Sequence, residues 1–373
     1  MHSDQAPTDG THREPWSLRR RLIITAAVAV VLVASGGTAL ALRSGNPSPA
    51  ASEAAAAQSA EPAPTPGRTA PSAPVSPSAS LGPATSLTSP SASPTAKPTS
   101  AQPVVPAPAR ARFPGAGNTG VPKGVKLKKM KGEIIVKKAG TVIDGIDLVG
   151  SISVQANNVT IKRSRITAPP DLPNKGRDSF TVVHQYTSVK GLKLQDCEID
   201  GSKLVYRAVM GSDGVHLQRC ELRNIGHGVE VGDNYIVEDS WIHSTDDGPD
   251  DDWHVDGIIS SIGNNGIIRR NTITLTGGSL TGAVSVGSSI GAIDNVVIRD
   301  NLLAGGNYTV YVQDQGHPAT RIQVIDNWFS TSENPKVGVY GIWYQSQLPA
   351  DLVRRGNKIF ETGQPADDEP DWG

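Results

Sequence analysis

An eight-residue pattern returning along the C-terminal part of the chain constrains its fold more than any other feature. It reads apolar, any, apolar, any, any, small polar, any, apolar. Copies stand at 159–166 (VTIKRSRI), 192–199 (LKLQDCEI), 215–222 (VHLQRCEL) and 235–242 (YIVEDSWI), and again at 266–273, 296–303 and 322–329. A last copy, LVRRGNKI (352–359), is read with a one-residue slip, and a weak early copy is TVIDGIDL (141–148). The sixth positions are Ser164, Cys197, Cys220, Ser240, Asn271, Asn301, Asn327 and Asn357, spaced by 33, 23, 20, 31, 30, 26 and 30 residues.

The apolar positions alternate with period two, which marks strands. A strand every 20 to 30 residues, with turns and further strands between, describes a solenoid whose coils stack at about 4.8 Å. Asparagines stacked at one position can bond to those above and below, which satisfies amides inside an apolar pattern. The LxxLxL spacing of leucine-rich repeats is missing, and the period excludes helical repeats. The expected fold is all-β, a single-stranded parallel β-helix of roughly eight to nine coils.

The rest of the 373 residues divides by composition. Residues 1–21 form a basic N-terminus ending in Arg19, Arg20 and Arg21, which places it in the cytoplasm. Residues 22–42 are an apolar run, read as a membrane-spanning signal anchor helix, or as a cleaved signal peptide ending at Ala39-Leu40-Ala41. Residues 43–112 are rich in Pro, Ala, Ser and Thr and read as a disordered linker, a spacer that reaches roughly 200 Å at about 3.1 Å per residue. Residues 113–373 remain for one domain, held on the extracellular face of the membrane or secreted, and expected to be a monomer. A formal net charge of −1 implies no nucleic-acid partner.

The two cysteines, Cys197 and Cys220, occupy the ladder position of consecutive repeats in a chain read as exported, so a disulfide is expected between them. Lys123, Lys126, Lys128, Lys129, Lys131, Lys137 and Lys138 crowd the start of the domain. They read either as a patch for anionic wall polymers or lipid, or as a solvated face over the first coil.

FPGAGNTGVPKGVKL (113–127), GTVIDGIDLVGSISVQANNVTIKRSRI (140–166), DWHVDGI (252–258) and GGNYTVY (305–311) resemble one exported bacterial branch of the right-handed parallel β-helix repeat proteins of the pectin lyase-like superfamily. The resemblance covers roughly residues 113 to 363 and implies the right-handed form of the fold. It also implies a polysaccharide or cell-wall glycan as partner, to be bound or processed by a lyase or glycoside hydrolase. A non-catalytic structural or adhesive role is the alternative.

A second strand row can be aligned between the ladder strands, in FTVVH, YRAVM, HGVEV, DGIIS, GAVSV, YTVYV and YGIWY. Alternation then turns Val183, Val209, Glu230, Ile259, Ser285, Tyr311 and Trp343 outward, with Arg207 beside them. Tyr311 and Trp343 are candidate sugar platforms, and Arg207 and Glu230 candidate catalytic groups. The segment 243–257, HSTDDGPDDDWHVDG, is the richest polar cluster. Asp246, Asp250, Asp251 and Asp252 are candidate calcium ligands, since clustered carboxylates suit a hard cation. Asp247, His254 and Asp256 are candidate catalytic residues, because neighbouring carboxylates shift one another's pKa. The plain alternatives are a solvated acidic loop and a buried His254–Asp256 pair. Gly226-His227-Gly228 is similar to the G-H-G element of polygalacturonases, although their N-T-D element is missing and Asp246-Asp247 follow the motif instead of preceding it. Pectate lyases pair acidic calcium ligands with an arginine base, a role Arg207 can fill.

Overall fold

The computed structural model describes residues 112–173, 179–245, 254–276 and 280–372. Every strand-to-strand ladder in it is parallel. One face of the coils is a nine-stranded sheet from Val142–Asp144 to Val353–Arg355, taking one short strand from each repeat. The remaining strands join in a second sheet, because Ile146–Val154, Glu198–Asp213 and Glu221–Asp233 run unbroken through a corner and so connect the other two faces.

The eight-residue pattern is not one strand. Its second to fourth residues lie in the nine-stranded sheet and its last two open the next face. The fifth residue makes the corner, with positive φ at Arg163 (47°), Asp196 (55°), Arg219 (51°), Asp239 (52°), Arg270 (54°) and Asp300 (57°). Left-handed backbone is costly for residues with a Cβ. Here the charges alternate down the stack, and neighbours pair across coils. Arg219 Nε meets Asp196 Oδ1 at 2.6 Å, Arg270 Nε meets Asp239 Oδ1 at 2.7 Å, and Arg163 pairs with Asp144.

The turn points the sixth residue into the core. The backbone N–H of Asn271 donates to Asn301 Oδ1 at 2.9 Å, that of Asn301 to Asn327 Oδ1 at 3.1 Å, and that of Asn327 to Asn357 Oδ1 at 3.0 Å. Each of these side-chain amides also reaches a carbonyl of the coil before, as Asn301 Nδ2 does to Ile268 O at 3.0 Å. Asp367 ends the ladder, accepting from Asn357 Nδ2 at 2.9 Å and from the Gly356 N–H at 2.9 Å. Glu369 does the same on another face, accepting from the N–H groups of Ile342 (3.0 Å) and Trp343 (3.1 Å). The C-terminal tail thus replaces with carboxylates the coil that no longer follows.

Cys197 and Cys220 sit side by side in this ladder, fully buried, but as free thiols. The expected disulfide is corrected on that point. In an in-register parallel stack the Cα–Cβ bonds run parallel, so the Cβ atoms stay about 4.8 Å apart, beyond the roughly 3.5–4.5 Å a disulfide accepts. Each thiol instead points to a carbonyl of its own turn, Gln195 O at 3.3 Å and Gln218 O at 3.4 Å. The slip assigned to the last repeat is also absent: Val353, Arg354 and Arg355 pair in register with Gln323, Val324 and Ile325. Arg354 simply takes an inward apolar position, its guanidinium 5.0 Å from the Trp343 ring centroid.

The entry segment runs outside the coils, against their direction of travel. Phe113 packs edge-on to Phe360 of the last repeat at 5.9 Å. Residues 113–118 then border a hollow with Trp241 and Thr272. The Gly120 N–H donates to Arg219 O at 3.0 Å and the Val121 N–H to Glu198 Oε1 at 3.3 Å. Gly120 has φ +78°, and a Cβ there would lie 2.9 Å from Glu198 Cγ. The strap ends where the Lys128 N–H reaches Gly145 O at 2.8 Å, in the first coil. Among the described residues no helix is long and apolar enough to cross a membrane. The apolar segment 22–42 and the linker up to residue 111 lie outside the described residues.

Candidate functional site

The third face is built from Thr181–Gln185, the later parts of Glu198–Asp213 and Glu221–Asp233, then Val255–Ser260, Leu280–Gly287, Tyr308–Gln313 and Gly341–Trp343. Its register corrects the alignment read from the sequence. Val183, Val209, Val229, Ile258, Val284, Val310 and Trp343 are paired in turn, and all are buried. The outward row is therefore His184, Met210, Glu230, Ile259, Ser285 and Tyr311. Val183 and Val209 were assigned one place off, and so was Trp343. The frame slips between Val209 and Glu230, beside a pairing shift at Arg223 and Ile225 and a glycine-rich corner, and again before Trp343, where Gly341 and not Tyr340 pairs with Tyr308. Trp343 lies in the core, 2% exposed, with its indole N–H on Ala366 O at 3.0 Å. It offers no platform. Tyr344 takes that place, stacked on Tyr311 at 4.8 Å.

At the corner preceding this row, Arg207, His227 and Asp256 occupy equivalent positions in successive coils. Their side chains meet. His227 Nε2 lies 3.5 Å from Asp256 Oδ2 and its Nδ1 lies 3.7 Å from Glu230 Oε2. Neither ring nitrogen has a hydrogen-bond partner among the described residues. Arg207 Nε pairs with Glu230, and its guanidinium lies 4.3 Å over the Tyr206 ring, which in turn packs on His227 at 4.6 Å. The Ser285 hydroxyl donates to Asp256 Oδ1.

The two carboxyls are driven apart. Burial pushes Asp256 up, against the opposing pull of His227 and Ser285. Burial acts on Glu230 in the same sense, but His227 and Arg207 outweigh it and hold it at about 2. Such a separation is how one site keeps a protonated acid beside an ionised carboxylate. Desolvation also raises Tyr206, and it raises Tyr311 to about 12.

Asp256 and His227 open into a pocket of about 260 Å³, whose walls include Tyr206, His254, Thr281, Ser285 and Tyr311. His254 is exposed at its rim, with Nδ1 3.4 Å from Thr281 Oγ1, so the buried His254–Asp256 pair is replaced by His227–Asp256. Beyond Arg207 a second hollow of about 360 Å³ continues along the face, past His184, Thr181 and Ser153. Asp246, Asp247, Asp250, Asp251 and Asp252 lie outside the described residues. No cluster of His, Cys, Asp and Glu suited to a metal occurs among the described residues. The sequence pattern brought Arg207, Glu230, Asp256 and Tyr311 forward. It missed Tyr206, Ser285 and Tyr344 as site residues, and it placed His227 only through the G-H-G likeness.

Residues 181–358 match the family model described as a right handed beta helix region. No curated protein and no solved structure matches the chain.

Proposed function

We propose that this chain, a right-handed β-helix repeat protein, binds polysaccharide along the third face and hydrolyses it at Asp256 and Glu230. The observation that carries this reading is the pair of carboxyls flanking His227, one raised and one held at about 2, with Asp256 and His227 lining an aromatic-walled pocket. Asp256, whose neutral form burial favours, donates a proton to the leaving glycosidic oxygen. Glu230 stays ionised and serves as the base or nucleophile. Tyr311 and Tyr344 present ring faces for sugars beside the pocket. Export supports a glycan outside the cell as substrate. Residues 22–42 act as a membrane anchor or signal and 43–112 as a spacer, preceding eight to nine coils. The acidic segment 246–252 carries the candidate calcium ligands Asp246, Asp250, Asp251 and Asp252, a carboxylate set that suits a hard cation.

Incubating the protein with a panel of neutral and acidic polysaccharides, with detection of new reducing ends, tests the reading. Release by the wild type that is lost in both Asp256→Asn and Glu230→Gln supports it. Binding without release by the wild type favours a non-catalytic surface protein. One observation favours that second reading: Arg207 already neutralises Glu230.

A further inference from the structure

The first coil carries a charge distribution that the third face does not use. The seven lysines between Lys123 and Lys138 are all exposed. None has an ion-pair partner among the described residues. The arginines behave differently: Arg163, Arg219, Arg270 and Arg321 each hold a carboxylate of a neighbouring coil. Asp147 stands opposite Lys129 in the ladder without an ion pair to it, and two other nearby acids are engaged elsewhere. Asp144 is taken by Arg163 and Lys162, and Glu133 accepts from Ser153 Oγ at 2.7 Å. With a net charge of −1 over the whole chain, this positive end is segregated charge and not a general excess.

Edge protection explains part of it. Lys128, Lys129 and Lys131 stand on Lys128–Val136, which pairs with Ile146–Val154 on one side and begins the sheet order. Lysines on such a strand discourage pairing with another chain. Lys123, Lys126, Lys137 and Lys138 lie off the strand, and edge protection gives no reason for them. Lys123 and Lys126 line a shallow hollow of about 610 Å³ with Gly145 and Arg163 at the corner.

We propose that this edge binds a linear phosphate polymer laid along the first coil. The strand carries its lysines along a path of about 30 Å at roughly 3.3 Å per residue, with the other four lysines before and after it. A single phosphate meets one or two of them, whereas a polyanion meets most and releases counterions at each contact. Lysines are hydrated point charges without a directed fork, which suits a chain of phosphates in variable register. No aromatic side chain stands among them to sit at headgroup depth in a bilayer.

The full chain is titrated with labelled long-chain inorganic polyphosphate, with inorganic phosphate and anionic phospholipid vesicles in parallel. We expect binding at low salt that weakens about tenfold or more between 50 and 200 mM. Lys128→Glu/Lys129→Glu/Lys131→Glu keeps a charged edge, and so keeps its protection, but should lose at least about tenfold in affinity. Lys137→Glu/Lys138→Glu, off the strand, should lose affinity with an unchanged Tm. Asp256→Asn should bind polyphosphate like the wild type, so failure here is separate from failure of the groove reading. Three results would each overturn the proposal: no binding of polyphosphate, affinity unmoved by both charge reversals, or equal competition by inorganic phosphate at the same phosphate concentration. A charge-reversal effect confined to the vesicles would overturn it as well.

Discussion

The imidazole of His227 faces the carboxyl of Asp256 in the next coil, Nε2 to Oδ2 at 3.5 Å, and both residues are at least 95% buried. The register makes them neighbours, since 227 and 256 are partners in the ladder. The backbone ladder thus holds the two side chains opposite one another. It also leaves a buried acid whose charge is only partly compensated, which is a cost to the fold and an opportunity for chemistry.

Asp256→Asn separates these two effects. The folded-state pKa of Asp256 is raised, so its neutral form is the one the fold accommodates, and the stability tied to that form is lost as pH rises through the folded pKa. Asparagine cannot ionise and still accepts from Ser285. The variant should melt at or above the wild type at pH 7, and the advantage should shrink in acid. Glycan hydrolysis should disappear. Calorimetry at several pH values, beside a reducing-end assay, reads both.

Glu230 behaves in the opposite sense. Its value is held at about 2 in the fold against an ordinary 4.5, so it contributes stability above pH 4.5 that drains away as pH falls toward 2. Glu230→Gln should be less stable than the wild type at pH 6 and should approach it near pH 2. Parallel thermal melts from pH 2 to 6 check the convergence.

Asn301 lies mid-ladder, and Asn301→Leu removes its own bonds and strands those of Asn271 and Asn327. The expected loss is about 2–4 kcal/mol. Urea denaturation should show a lower midpoint with an unchanged m-value.

The two cysteines should titrate as thiols. Native protein purified without reductant should show no reaction with a thiol reagent, and two equivalents once unfolded. Burial pushes the Cys220 thiol well up, which adds to its inertness. Cys220→Ser should cost less than about 1.5 kcal/mol, because Ser164 and Ser240 already serve at the same ladder position.

Where sequence and structure agree, the cause is a repeated local demand. The sixth residue of each repeat must be small or amide-bearing because the corner turns it inward, so Asn271, Asn301, Asn327 and Asn357 stand out at a glance. The fifth position read as unconstrained, yet Arg163, Asp196, Arg219, Asp239 and Arg270 alternate in sign there because each faces the next across one coil. That signal is visible only once the repeats are stacked. The third face was harder to read. Gly226 and Gly228 carry no side chain to mark in from out, so the frame slipped between Val209 and Glu230. Trp343 has an apolar ring and a polar N–H, and Ala366 O satisfies the N–H from inside the core. The pairing of His227 with Asp256 depends on a coil length that the intervening acidic segment obscures. The strap from Phe113 to Val121 draws its partners from distant repeats, so no periodicity announces it.

That strap changes the order in which the molecule can be completed. Solenoids assemble by nearest neighbours, and a new coil needs only the one already made. Phe113 leaves the ribosome early, but its seat against Phe360 comes 247 residues later. The last contact to form thus involves a residue at the very start of the strap, and its closure entropy is set by the whole intervening chain. A growing array that would otherwise fray independently at each end becomes a tied loop. Truncating the last repeat should loosen the first, and damage at either end is felt by the whole rod.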